Sequence, residues 1–288
     1  MKYGFMYEHR GFYRICKMAE VLETSRTGYY AWLKRGSQSC RQQRDHEALA
    51  HIRAAFVETR ETYGPRRLSK HLHQKGHNIG RVRVERLMRE NHMVSKTVKK
   101  FKATTNSNHD YPVAPNLLNR DFKVAHPNTV WASDITYVAT GEGWLYLAAV
   151  MDLCTGKVVG WAMGARMTAD LVCDALKQAV LRQEPSRAVV CHSDRGVQYA
   201  CKDYRRLIKN FGFVQSMSRK GNCWDNAPME SFFGTLKTEL IYHEDYQTRR
   251  QARVSIFEYV EAFYNRVRLQ EKLGFLSPES YENLSFSA

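Results

Sequence analysis

From residue 130 the chain alternates. Val130, Ala132, Asp134 and Thr136 fall on one face, and Trp131, Ser133, Ile135 and Tyr137 on the other. That period of two is what a pleated strand imposes. The same signal predicts strands over 131–138, 144–153 and 157–163. Turns at Gly141-Glu142-Gly143 and Thr155-Gly156 separate them, so the three should form an antiparallel meander. A helix is predicted over 169–182 with Thr168 as its N-cap, then a strand over 188–192, a helix around 204–211 and a strand over 213–217. From Pro228 onward the pattern is mostly helical.

Upstream, the apolar spacing is helical instead. Ile15, Met18, Ala19 and Leu22 mark one short helix, and Arg26 to Lys34 a second, with Ser25 as its N-cap. This pair suits a helix-turn-helix, and equally a plain helical hairpin with a packed aromatic face. Asp45 to Thr59 reads as an amphipathic helix through Leu49, Ile52, Ala55 and Phe56. Tyr63-Gly64-Pro65 ends it, and Pro65 suits the first turn of a helix that stops at Gly76. Another runs from Arg81 to Glu90 with Val84, Leu87 and Met88 inward. Thr104 to Asn108, Pro112 and Pro115 then mark a linker. The expected organisation is a basic, all-α, helix-turn-helix-like region over 1–100, a linker over 101–125, an α/β core over 126–240 and a helical extension over 241–288. Three hairpin strands followed by alternating helices and strands give a mixed five-stranded sheet flanked by helices, the order of the ribonuclease H-like fold.

Charge sharpens this division. Residues 1–125 hold 25 Lys and Arg against 11 Asp and Glu, a net of +14, while residues 126–288 hold 19 against 18. The first half is an electrostatic footprint for a polyanion, and nucleic acid is the expected partner. Arg81, Arg83, Arg86 and Arg89, with Arg66 and Arg67 before them, are the candidate phosphate contacts, with a solvated charged face as the plain alternative for the first four. No apolar run approaches the length of a membrane span, and no apolar secretory segment opens the chain, so a cytosolic, nucleoid-associated protein is expected. The 7 cysteines are scattered without a Cys-x-x-Cys, as in a reduced protein. His71, His73 and His77 cluster without cysteines at ligand spacing and read as surface histidines rather than a zinc site. A phosphate-binding Gly-x-x-x-x-Gly-Lys-Ser/Thr loop is missing, which excludes that route to nucleotide-driven chemistry.

Three acids stand at chemically telling places. Asp134 lies in the first predicted strand, Asp194 ends the fourth, and Glu230 opens a helix after Asn226-Ala227-Pro228. Strand ends are where sites in such sheets gather, and converging carboxylates suit hard divalent cations. Each has a plain structural alternative: a hydrogen-bonded strand Asp, a turn-capping Asp, a surface Glu. Asp152 and Asp225 compete as ligands, and spacing does not separate them. Lys237 shares a helical face with Glu230 and can reach a phosphate. Gly234, on the same face, costs about 1 kcal/mol in a helix relative to Ala, which a close backbone or DNA approach would explain.

Linked motifs now point to a family. Trp131-Ala132-Ser133-Asp134-Ile135-Thr136-Tyr137, His192-Ser193-Asp194-Arg195-Gly196-Val197-Gln198-Tyr199 and Asn226-Ala227-Pro228-Met229-Glu230-Ser231 resemble the integrase-type DDE core of bacterial insertion-sequence transposases, most closely the second-frame product (OrfB) of the insertion-sequence-three family. Lys237 fits the same pattern. Tyr264-Asn265-Arg266-x-Arg268 and Leu273-Gly274-Phe275-Leu276-Ser277-Pro278 resemble its C-terminal signature, and Tyr63-Gly64-Pro65-Arg66-Arg67 its upstream helix-turn-helix. One departure stands out: Gln270-Glu271 lie near the place of a frequent His-Ser. The resemblance implies metal-dependent 3′-end nicking and strand transfer on double-stranded DNA. It implies two Mg²⁺ ions, replaceable by Mn²⁺, with Asp134 shared between them and Asp194 and Glu230 each completing one site. It also implies a homo-multimer on DNA and a separate first-frame partner (OrfA) or a frameshift fusion with it. A catalytically decayed DNA-binding regulator and a plain metal-dependent nuclease are the alternatives.

Overall fold

The computed structural model describes residues 2–35, 40–96, 112–219 and 223–286. The chain divides into two compact units, Met1–Val94 and Ser95–Ala288. Of the expected linker, residues 101–111 lie outside the described residues.

The first unit is helical. Helices α1 (Lys2–Glu8), α2 (Ile15–Val21) and α3 (Arg26–Arg35) gather around Met6, Met18, Ala19 and Tyr29. Ser25 caps α3, its hydroxyl accepting from the Gly28 N–H at 2.8 Å. Helices α4 (Cys40–Glu58), α5 (Pro65–Gln74) and α6 (Arg81–Glu90) pack on one another through buried Ile52, Leu68, Leu72, Val84 and Leu87. Pro65 sits in the first turn of α5, as its fixed φ favours. His71 departs from the surface reading. It is buried, meets Tyr63 edge-on, and places Nε2 3.4 Å from a Glu58 carboxylate oxygen. A polar ring on the inner face of an amphipathic helix is tolerated when it finds such a partner.

In the second unit, strands β1 (Val130–Val138), β2 (Leu145–Asp152), β3 (Val158–Gly164), β4 (Val190–Ser193) and β5 (Val214–Met217) form one sheet in the order β3-β2-β1-β4-β5. β1, β2 and β3 are antiparallel neighbours; β4 runs parallel to β1, and β5 parallel to β4. This is the mixed ribonuclease H-like sheet. Helix α7 (Ala169–Gln183) covers β2 and β3, burying Leu171, Val172, Leu176 and Ala179 in one core with Trp131, Ala148, Val150 and Val159. Gly160 of β3 is needed there. A Cβ at that position would stand 2.6 Å from the Ala179 backbone nitrogen and closer still to the Ala175 carbonyl oxygen, so strand and helix meet backbone to backbone.

Helices α8 (Val197–Ala200) and α9 (Lys202–Asn210) lead from β4 to β5. Helix α10 (Ala227–Glu239) packs against β1 through buried Met229, Phe232, Phe233 and Leu236. Helix α11 (Arg249–Glu258) opens with a capping box between Thr248 and Gln251 and runs on into a π-helical turn, Tyr259–Tyr264. Helix α12 (Pro278–Phe286) closes the chain. Gly234 of α10 has open space where its Cβ would be, so no backbone of the described residues explains it. Among the described residues no helix is long and apolar enough to cross a membrane.

Candidate active site

Register brings the two aspartates together. Ser133 of β1 is the parallel partner of Ser193, the last residue of β4. Asp134 and Asp194 are the next residues on these neighbouring strands, which run about 5 Å apart. Both are half-buried. Asp134 accepts from the Ile135 N–H at 2.8 Å, and Asp194 from the Gly196 N–H at 2.8 Å. Burial lifts the Asp134 carboxyl well above the usual carboxylate range, and the Asp194 and Glu230 charges lift it further.

Glu230 lies in the first turn of α10 and is exposed; its carboxyl is raised by desolvation. Two turns on, Lys237 is half-buried, which lowers its ammonium, while the nearby Asp134 charge opposes that shift. Two polar contacts fasten the start of this helix and the turn before it to the strands. Asn226, at its N-cap, donates to the Ser133 carbonyl at 3.2 Å. His192 is buried in β4, with its ring nitrogens 2.9 Å from the Ser216 hydroxyl and 2.9 Å from the Asp225 carbonyl. Burial lowers its pKa. Sequence reasoning passed over both residues, although each stands inside a quoted motif within four positions of a candidate acid.

The competing acids have structural work. Asp152 is buried and accepts from the Asn128 and Thr155 N–H groups at 2.7 and 2.8 Å. It pairs across the sheet with Trp131, whereas Asp134 faces Ala149. Asp225 accepts from Arg219 and Arg120, and the Arg219 guanidinium holds its carboxyl far below the usual range. In the first unit, Arg83 and Arg86 bind Asp45 at 2.8 and 2.6 Å, and Arg81, Arg89 and Arg66 are exposed. Arg67 lies with its guanidinium 6.0 Å from the Tyr63 ring centroid.

The chemistry of the donor set fits a divalent cation in part. Two all-oxygen carboxylates on adjacent strands oppose one another, and a hard cation would remove that repulsion. Among the described residues, however, no three His, Cys, Asp or Glu side chains form a ready group around one ion. Glu230 therefore stands near the pair without completing it in this conformation.

Residues 124–223 and 230–286 match integrase core domains, and residues 42–101 match an HTH-like domain. The last of these falls on α4 to α6 and takes in Tyr63-Gly64-Pro65-Arg66-Arg67, where the helix-turn-helix resemblance lies, and it leaves out the pair over 12–35. The chain is 49% identical to an insertion element IS600 uncharacterized 31 kDa protein of Shigella sonnei, over 92% of this chain and 97% of that one. It is 42% identical to the transposase InsF for insertion sequence IS3A of Escherichia coli strain K12, over 98% and 99% of the two. A simian T-cell lymphotropic virus intasome structure aligns over 76% of this chain and 74% of that one, with 16% identity and a TM-score of 0.47.

Proposed function

The chain belongs to the InsF-type transposases of the insertion-sequence-three family, and from that premise we propose that Asp134, Asp194 and Glu230 are its catalytic acids. The protein is a polynucleotidyl transferase of DNA transposition. What supports the assignment of residues is the register of β1 on β4, which sets two of the three acids side by side.

The three carboxylates would hold two Mg²⁺ ions, or Mn²⁺ in their place. When bound, such a pair lowers the pKa of the attacking hydroxyl and neutralises charge on the departing 3′ oxygen. Asp134, in the middle of β1, and Asp194, just past the end of β4, act from rigid backbone, so their oxygens need little reorganisation. Glu230 is brought by α10, which Asn226 ties to β1. Lys237 offers its ammonium to a phosphate beside the reacting bond. In nicking, water replaces the 3′ oxygen on phosphorus; in strand transfer, a DNA 3′-OH does so. The second reaction exchanges one phosphodiester for another and needs no nucleotide cofactor.

Arg66, Arg67, Arg81 and Arg89 contact DNA phosphates in this reading, while Arg83 and Arg86 chiefly hold α6 to Asp45. The active species is a homo-multimer on transposon ends in the cytosol, working with the first-frame protein or as a fusion to it. The test is incubation of the purified chain, with and without that partner, on labelled end DNA with Mg²⁺. Nicks and joined products are expected from a substrate with a free 3′-OH. Asp194→Asn should lose several kcal/mol of transition-state stabilisation, on the order of a thousandfold in rate, with DNA binding retained. Nicks without joined products would favour a plain nuclease.

A further inference from the structure

The β1–β2 hairpin leaves large aromatic rings in solvent at one end. Tyr137 is 40% exposed and Trp144 50%. Their centroids lie 4.9 Å apart at an interplanar angle of 79°, so edge meets face and ring surface stays open. Tyr242, in the turn Ile241–His243 after α10, is a third exposed ring, close enough to Tyr137 for their hydroxyls to interact electrostatically. Single exposed aromatics are ordinary, but a group of them marks a surface made for a partner.

Cations frame this group. The Lys237 ammonium stands 5.2 Å from the Tyr137 ring centroid and also lies within electrostatic reach of Asp134. Arg249, the first residue of α11, donates its Nε to the Trp144 carbonyl at 3.0 Å. Glu142, the acid of the hairpin turn, is occupied by the Arg249 backbone N–H at 2.9 Å. Open ring faces flanked by cations are the equipment for single-stranded nucleic acid, where bases stack and phosphates meet positive charge. A surface for a second copy of the chain would instead keep charge away from its apolar centre.

We propose that Tyr137 and Trp144 form a stacking platform for an unpaired nucleobase of the DNA strand held at the acid site, with Lys237 and Arg249 on the neighbouring phosphates. The proposal rests on the transposase reading of Asp134, Asp194 and Glu230. It adds a device for opening the duplex beside the reacting bond: stacking on the rings offsets the loss of stacking in the helix.

The test uses the full chain in a chelating buffer and two probes, a forked duplex with a short single-stranded flap and the same fork with an abasic flap. Fluorescence anisotropy reads affinity. The wild type should prefer the intact flap by about fivefold to a hundredfold, the range of a base stacked on an aromatic ring. Trp144→Ala should abolish that preference and keep the affinity for the abasic fork, which shows the variant is folded; Trp144→Phe should retain the preference. Equal binding of both forks by the wild type, or a preference that survives in Trp144→Ala, overturns the platform. So does a loss of self-association in Trp144→Ala with fork preference intact, which would assign the rings to a second copy. The readout needs no turnover, so failure of the platform and failure of the metal-dependent nicking test remain distinct.

Discussion

Without a cation, burial and the Asp194 charge beside it disfavour ionisation of Asp134. Its folded-state pKa is raised, so the folded protein binds a proton more readily than the unfolded chain. Stability then falls as pH rises from the ordinary carboxylate value through the raised one. Asp134→Asn removes the charge with little change of shape. In chelator at neutral pH it should therefore melt above the wild type, and the gain should vanish below the ordinary carboxylate range. Mg²⁺ should reverse the order by stabilising the wild type alone. Thermal melts at two pH values, with and without Mg²⁺, check this, and equal melting temperatures at neutral pH in chelator would falsify it. Asp134 and Asp194 were legible as candidates because the first is an acid inside an otherwise apolar strand pattern and the second ends such a pattern. The roles of Asp152 and Asp225 were not, because only the fold reveals that Thr155, Asn128 and Arg219 serve them. Nor did the sequence disclose His71 as buried, since its partner Glu58 lies on another helix.

Helix α10 carries Glu230 at one end and Glu239 at the other, and the far end is anchored by a buried ion pair. Arg268 donates to both Glu239 carboxylate oxygens at 2.8 Å, and the Tyr259 hydroxyl donates to one of them at 2.7 Å. Both charged side chains are only 8% exposed. Asn265 of the same C-terminal motif clamps β3, accepting from the Val158 N–H and donating to the Val158 carbonyl, each at 2.9 Å. The C-terminal signature is thus a brace between α10 and the sheet. Arg268→Ala leaves Glu239 buried without the guanidinium that faces it, and should cost about 3–5 kcal/mol. Replacing both partners together, Glu239→Leu with Arg268→Met, should cost less than Arg268→Ala alone, because no charge is stranded. Urea unfolding measures both; a double variant weaker than the single one would refute the brace. The strands of this unit were readable to within two residues from alternation and turn residues, but the brace joins positions 29 apart and left no local trace. Helix α1 escaped notice as well: Lys2–Glu8 spans barely two turns and includes Gly4, too little for a helical period to emerge.

Across the whole chain, charge and chemistry are assigned to different stretches. Residues 1–125 carry a net of +14, and the acids, brace and sheet belong to the nearly neutral remainder. Salt should therefore act on DNA affinity mainly through the first half, since each phosphate neutralised there releases condensed counterions. Arg83 and Arg86 are spent on Asp45, whose carboxyl they hold below the usual range, Arg86 most strongly. Arg81 and Arg89 on the same helix are exposed. Arg81→Ala and Arg89→Ala should each flatten the plot of log affinity against log salt by about 1 and weaken binding alike on all sequences. Arg83→Ala and Arg86→Ala should lower the stability of the first unit and leave that slope nearly unchanged at temperatures where the variant stays folded. Titrations of one duplex across several salt concentrations, paired with thermal melts, separate the two classes. If all four variants shifted the slope equally, the pairing with Asp45 would not survive DNA binding, and α6 would present four cations to the backbone instead of two.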